Sequence, residues 1–261
     1  MGMETVFNML SNPVPDEVRQ NTVLMVVAGS RALGCQTVDS SDEDYMGVFV
    51  EPKEAVLGLR QYDYWEGATS DKDVRKGHGD VEVKMHGLKK FVSLAAKGNP
   101  DVLGVLYAPL VGEANGVGKM LRENAGLFSS KLAGRRYLGY MNGQMKSLNT
   151  GVGMEVKRPE LVEKYGYDVK FAYHVLRLGQ QGIDFLANGK LVLPLPEAQR
   201  AYLMDVRAGK YTLSEVTEQA RELDEKLKAA IELSSLPDAP DRDQVNTLLM
   251  QCYEYAWYGQ E

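Results

Sequence analysis

The spacing of hydrophobic and polar positions changes partway along the chain. Residues 23–27 (Val-Leu-Met-Val-Val) form an apolar, β-branched run of strand length that stops at Gly29-Ser30, and residues 45–50 form a second such run. Residues 80–85 (Asp-Val-Glu-Val-Lys-Met) alternate polar and apolar, as a half-buried strand does. From Leu88 the spacing becomes helical until residues 96–100 (Ala-Lys-Gly-Asn-Pro), where Gly98 suits a left-handed cap and Pro100 cannot continue the helix. Beyond the Gly-rich stretch 112–118 the pattern is almost wholly helical. It predicts helices over 130–148, 167–188, 196–208, 214–233 and 241–257, the second stopped by Asn188-Gly189. The fourth opens on a Ser214 cap with Glu215 and Glu218 in its first turns. Prolines make residues 191–196 a short extended link. The chain therefore reads as α/β + α: a small mixed-sheet unit over residues 1–111, followed by a helical domain over 112–261. Residues 51–80 read as a long insertion between core strands. Its Tyr62, Tyr64 and Trp65 either stack a base or substrate or, more commonly for such clusters, pack locally.

The first two strands bracket the most informative chemistry. A glycine at a strand end lets backbone approach a ligand closely, and Ser30 can cap the next helix while its hydroxyl and the neighbouring N–H groups face an anion. Asp42 and Asp44 lie at the entrance to the second strand, where residues two apart share a side, so both carboxylates face one point. Asp39 and Glu43 fall on the other parity. Two hard oxygen anions beside a phosphate cradle suit Mg²⁺, which takes one or two carboxylates plus substrate phosphates.

A Gly-Ser turn followed by Asp-x-Asp, with a third carboxylate on a later strand, resembles the DNA polymerase β-like nucleotidyltransferase superfamily. The third carboxylate would be Asp80 or Glu82, which share parity. Glu82 lies six residues before Leu88, a spacing similar to the third-carboxylate strand of the RNA ligase-associated polymerase (YcgL-like) family, so it is favoured, with Asp80 as the alternate. That family more often has Asp there. The resemblance extends through residues 88–91, the Gly-Asn-Pro stop, 105–107 and the helix 166–178. It implies a nucleotidyltransferase catalytic domain over 1–111, with the helical domain completing the site. It further implies Asp42, Asp44 and Glu82 as catalytic metal ligands for Mg²⁺ (or Mn²⁺), with Gly29, Ser30 and Arg31 holding the β and γ phosphates of a nucleoside triphosphate such as ATP. A nucleoside monophosphate would pass to an acceptor hydroxyl and pyrophosphate would leave. The acceptor implied is an RNA end, as in tRNA repair; the alternatives are adenylylation of a protein hydroxyl and a catalytically silent nucleotide-binding module.

Lys170, His174 and Arg177 fall at i, i+4 and i+7 and so share one helical face. They are candidates to hold the nucleotide or acceptor, the arginine through forked contacts and the lysine as a point charge. The plainer alternative is a solvated basic face with His174 packed and hydrogen-bonded. His174 has no second His or Cys at metal-ligand spacing.

Composition changes little in this picture. With 44% hydrophobic and 25% charged residues among 261, the chain is an ordinary globular sequence. The net charge of -6 argues against a large basic surface. It leaves room for local clusters at Lys84, Lys89, Lys90 and Lys97 and at Arg135, Arg136 and Lys146. Neither a long apolar run nor a secretory pattern is present, so a cytoplasmic location and no membrane partner are expected. Cys35 and Cys252 have no metal spacing, and a structural disulfide is not expected. Cys35 lies beside the Gly-Ser turn, but phosphoryl transfer needs no thiol nucleophile. Oligomeric state has no signature here.

Overall fold

The computed structural model describes residues 1–37, 42–70, 79–150 and 158–259. Asp39, Ser41 and part of the 51–80 insertion lie outside them. Two short helices, α1 (Met3–Phe7) and α2 (Asp16–Gln20), lead into β1 (Thr22–Val27), a one-turn α3 (Gly29–Ala32) and β2 (Glu43–Phe49). After α4 (Lys53–Leu57) come β3 (Tyr64–Ala68) and β4 (Val81–Gly87). The helices α5 (Leu88–Ala96), α6 (Pro100–Val105), α7 (Gly116–Glu123) and α8 (Lys131–Thr150) follow, then α9 (Pro159–Tyr165) and α10 (Val169–Asn188). The last three are α11 (Glu197–Arg207), α12 (Leu213–Leu233) and α13 (Arg242–Tyr258).

The α/β + α class read from the sequence is the observed one, and the strands make a four-stranded mixed sheet in the order β1-β2-β4-β3. β2 runs parallel to β4, while β1 and β3 pair antiparallel with β2 and β4 at the two edges. Directly paired residues share a face. On one face Tyr45, Phe49, Val83, Met85 and Trp65 pack against Val6, Phe7 and Val18 of the N-terminal helices. The other face carries Leu24, Val26 and Val48 into the main core, which also contains Leu176, Phe185 and Leu248 from the helical half. At the β2 N-terminal end of that face the apolar residues give way to Asp44 and Glu82, paired across the parallel strands, followed by Met46 and Lys84.

Local chemistry departs from the sequence reading at four places. The 51–80 segment is not a plain insertion, because Tyr64–Ala68 pairs with β4 as an edge strand. Its aromatics pack locally: Tyr62 lies 5.6 Å from the Phe49 ring, Tyr64 lies 5.2 Å from His86, and Trp65 joins the core. Ser30 sits inside α3, whose N-cap is Ala28, so it does not cap. Thr212 rather than Ser214 caps α12, in a reciprocal capping box with Glu215. Pro100 does more than stop a helix: with Gly98 left-handed at φ +73°, it becomes the first residue of α6, and Asn99 caps that helix through the N–H groups of Asp101 and Val102.

Glu51, at the end of β2, ties the halves together. Its Oε2 accepts from the Leu88 N–H at 2.9 Å and the Tyr253 hydroxyl at 2.8 Å, joining the start of α5 to α13. Burial pushes the carboxyl above its usual range, while these donors and other backbone hydrogen bonds pull the other way. Gly87 makes room for it, since a Cβ there would collide with the Glu51 carboxylate. Among the described residues, no helix is long and apolar enough to cross a membrane.

Two predictions follow from this packing. Glu51→Ala leaves two buried donors without an acceptor and lowers the unfolding free energy by about 2 kcal/mol in urea titration; a variant within about 0.5 kcal/mol of wild type contradicts the tether. His86 is held down to about 4, first by burial and then by Lys90 and Lys84, with Asp63 opposing. Its folded value lies below its unfolded one, so its contribution is fully present above pH 6.5 and is lost as pH falls through 6.5 toward 4. Stability measured from pH 7 to 4 therefore falls less steeply in His86→Gln than in wild type, whereas parallel slopes contradict the assignment.

Candidate active site

The strand-to-helix turn after β1 is shaped by one close approach. Gly29 sits at φ +58°, in the left-handed region, and a Cβ there would run into the Asp44 carboxylate. Only glycine lets this backbone lie against that side chain. The Ala28 N–H donates to the Asp44 carbonyl at 2.7 Å, locking the turn onto β2.

A cleft of about 440 Å³ opens beside the turn. One wall carries Gly29, Ser30, Asp42, Asp44 and Glu82, and α10 supplies Lys170, His174 and Arg177 opposite. The structure thus brings together eight of the ten residues singled out from sequence. The two others lie off the wall. Arg31 turns to an ion pair with Glu43, which also accepts from the Tyr45 hydroxyl at 2.6 Å. Asp80 precedes β4, and its Oδ1 accepts from Ser70 Oγ at 2.6 Å and Thr69 Oγ1 at 3.2 Å. Parity alone gave Asp80 and Glu82 equal standing; in the structure Glu82 lines the cleft and Asp80 is bonded to the hydroxyls of the segment after β3.

Opposite charges are interleaved in the cleft. Lys84 Nζ lies 2.6 Å from Glu82 Oε1. The Lys170 ammonium is pushed below its usual range by burial and by Arg158 and Arg207, while Asp42 and Asp44 draw it up. His174 is held down to about 3, first by burial and then by Arg177, Lys170, Arg158 and Arg207, so it is neutral at pH 7. Its ring lies edge-on to Tyr173 at 5.2 Å. Arg177 Nη1 donates to Gln181 Oε1 at 2.8 Å, while its Nε is buried without a hydrogen-bond partner among the described residues. A buried donor left open on a cleft wall is a place for a ligand oxygen.

Arg207 and Gln181 also line the cleft and were missed in the sequence, as was the place in the site of Lys84, read there only within a basic cluster. Lys84 was legible, two positions after Glu82 on the same strand face, and Gln181 continues the Lys170, His174, Arg177 stripe by one more turn. Arg207 had no local signal: it reaches the site from α11 by donating to the Cys35 carbonyl at 2.7 Å, with its guanidinium 5.3 Å from the Tyr173 ring centre. Of the other basic positions, Lys90 pairs with Asp63, Arg135 with Asp238, and Arg136 donates to the Lys97 carbonyl, all off the cleft wall. Cys35 is fully buried and burial pushes its thiol up, which disfavours the thiolate that nucleophilic attack needs.

The donor chemistry suits a divalent cation with oxygen preference. Among the described residues, no three Asp, Glu, His or Cys side chains are gathered closely enough to chelate a metal unaided. Mg²⁺ does not require that, since one or two carboxylates complete its shell with water and substrate phosphates. Asp42 and Asp44 offer them on the wall that holds Gly29 and Ser30.

Residues 6–251 match the RNA repair pathway DNA polymerase beta family. A 38.9 kDa protein of the nrdC-mobD intergenic region of Enterobacteria phage T4 is 27% identical over 127 residues, covering 47% of this chain. The match spans only 37% of that relative's length. The crystal structure of a nucleotidyltransferase-like protein from Exiguobacterium sibiricum 255-15 is similar at 10% identity, covering 92% of this chain and 73% of that one. Its TM-score is 0.29, a likeness too slight to bear on function.

The turn geometry makes its own prediction. Gly29→Ala forces a left-handed alanine and displaces the Asp44 carboxylate, lowering the unfolding free energy by about 1–2 kcal/mol. Urea titration measures the loss, and a variant as stable as wild type contradicts the close approach of Gly29 to Asp44.

Proposed function

The chain belongs to the RNA repair pathway DNA polymerase β family and is a nucleotidyltransferase of that type; on that premise we propose that it moves a nucleoside monophosphate from a nucleoside triphosphate to the 3′ hydroxyl of an RNA. The observation that carries this reading is the single cleft in which Gly29, Ser30, Asp42, Asp44 and Glu82 face the cationic stripe of α10. The RNA acceptor is supported by the family's description alone.

In this reading residues 1–111 are the catalytic domain and residues 112–261 complete the site. Asp42, Asp44 and Glu82 would hold Mg²⁺, with Mn²⁺ as a substitute, and the metal would neutralise phosphate charge and lower the pKa of the attacking hydroxyl. The Gly29 backbone and Ser30 hydroxyl hold the outer phosphates. Lys170 and Arg207 face the same oxygens, Arg177 lines the cleft beyond them, and His174, held neutral first by burial and then by its cationic neighbours, donates a hydrogen bond without adding charge. A bond forms between the acceptor oxygen and the α-phosphorus as the bond to the bridging oxygen breaks; pyrophosphate leaves and the hydroxyl proton passes to water. Catalysis on such a scaffold is positioning plus charge stabilisation.

Asp42→Asn with Asp44→Asn removes both neighbouring charges while keeping side-chain size. The double variant keeps the wild-type circular dichroism and loses Mg²⁺-dependent transfer of α-phosphate label to RNA by at least about a hundredfold. Transfer at the wild-type rate overturns the site, and label arriving in protein instead of RNA overturns the acceptor.

A further inference from the structure

Gln181 extends the α10 stripe one turn past Arg177 and is 4% exposed, yet it lies on the cleft wall. Its orientation is determined by chemistry. A guanidinium can only donate, so the bond from Arg177 fixes Oε1 toward the arginine and turns Nε2 away from it. That nitrogen is bonded to none of the described residues. The cleft therefore presents, from a buried side chain, an amide donor whose direction is held by a neighbouring charge.

The position of this donor along the helix matters as much as its direction. Lys170, at the other end of the stripe, feels the charges of Asp42 and Asp44 and so marks the phosphate end. Gln181 lies eleven residues further along α10, about 16 Å at 1.5 Å per residue. The cleft is also walled by Val105, Tyr137, Leu191 and Leu193, apolar or aromatic surfaces suited to a flat ring rather than to phosphate.

Resting on the nucleotidyltransferase reading above, we propose that Gln181 is the residue that selects the base of the incoming nucleotide, favouring bases with an oxygen at purine C6 or pyrimidine C4 over those with an amine there. Exocyclic groups project furthest from a base and meet the wall first. O6 of guanine or O4 of uracil accepts from Nε2, while the N6 amine of adenine or the N4 amine of cytosine sets donor against donor and leaves both unpaired, the arrangement by which buried polar groups reject a ligand most strongly. Arg177 is a positioning residue in this scheme, because it denies Gln181 the freedom to flip its amide and accept instead.

The test is equilibrium binding of GTP, UTP, ATP and CTP with Mg²⁺ to the full chain, with inorganic tripolyphosphate as a probe of the phosphate end alone. Wild type is expected to bind GTP and UTP about tenfold more tightly than ATP and CTP. Gln181→Ala levels the four affinities. Gln181→Glu, which still pairs with Arg177 but offers only acceptor oxygens, reverses the order, and tripolyphosphate binds all three proteins equally. Equal affinities in wild type, a wild-type preference for ATP and CTP, or a preference unchanged in both variants overturns the role of Gln181 while leaving the nucleotide site intact. Failure of wild type to bind any of the four triphosphates, or tripolyphosphate, overturns the nucleotidyltransferase site and this proposal with it.

Discussion

The parallel pairing of β2 with β4 in a register that sets Asp44 opposite Glu82 is the constraint on which the rest of the structure depends. Like charges on directly paired strand residues repel. The pair is tolerable only if cations or a metal face it, and the fold brings the cations from far along the chain. Lys84 reaches Glu82 from two positions along β4, and α10 brings Lys170 within the field of Asp42 and Asp44. Burial, and then the charges of Arg177, Lys170, Arg158 and Arg207, keep His174 neutral inside this cluster. A cleft of this kind carries large opposing charges at close quarters, a state that a charged, oxygen-rich ligand and its counter-ion relieve.

Holding that register requires both sheet faces to be fixed. The face away from the cleft is sealed by α1 and α2 over Tyr45, Phe49, Val83 and Met85, so a one-residue slip of β2 would expose an apolar row and bury the carboxylates. The cleft face is covered by the helical half, which Glu51 joins to the end of β2 through Leu88 and Tyr253. The carboxylates thus sit where the apolar part of the sheet ends and the helices stand off enough to leave a cavity. Stability and site geometry share the same elements.

Much of this was legible in the chain, for identifiable reasons. Gly29, Ser30, Asp42 and Asp44 announce themselves because strand spacing and backbone freedom are local properties, and Lys170, His174 and Arg177 because helical spacing is too. What escaped is tertiary. Tyr64–Ala68 is short and closes on Gly-Ala, so only its pairing with β4 makes it a strand. Glu51 reads as an ordinary carboxylate after a strand until α13 folds over it, and Arg207 is one charge among many on its helix until it bonds the Cys35 carbonyl. Parity does not distinguish the surroundings of Asp80 and Glu82, because the hydroxyls bonded to Asp80 belong to the segment after β3. Arg31 likewise reads as a phosphate ligand in the chain, and its ion pair with Glu43 is a contact that turn spacing does not show.

The central claim is that the Gly29 turn and the Asp44 and Glu82 register form one nucleotide-metal site. It is tested most directly by a crystal structure of the chain with a non-hydrolysable nucleoside triphosphate and Mg²⁺. The account predicts metal coordinated by Asp42 and Asp44, with Glu82 released from Lys84 toward it, the outer phosphates against Gly29 and Ser30, and the base toward the Gln181 end of α10. A nucleotide bound outside this cleft, or metal held by Asp80 in place of the Asp42 and Asp44 pair, would contradict it.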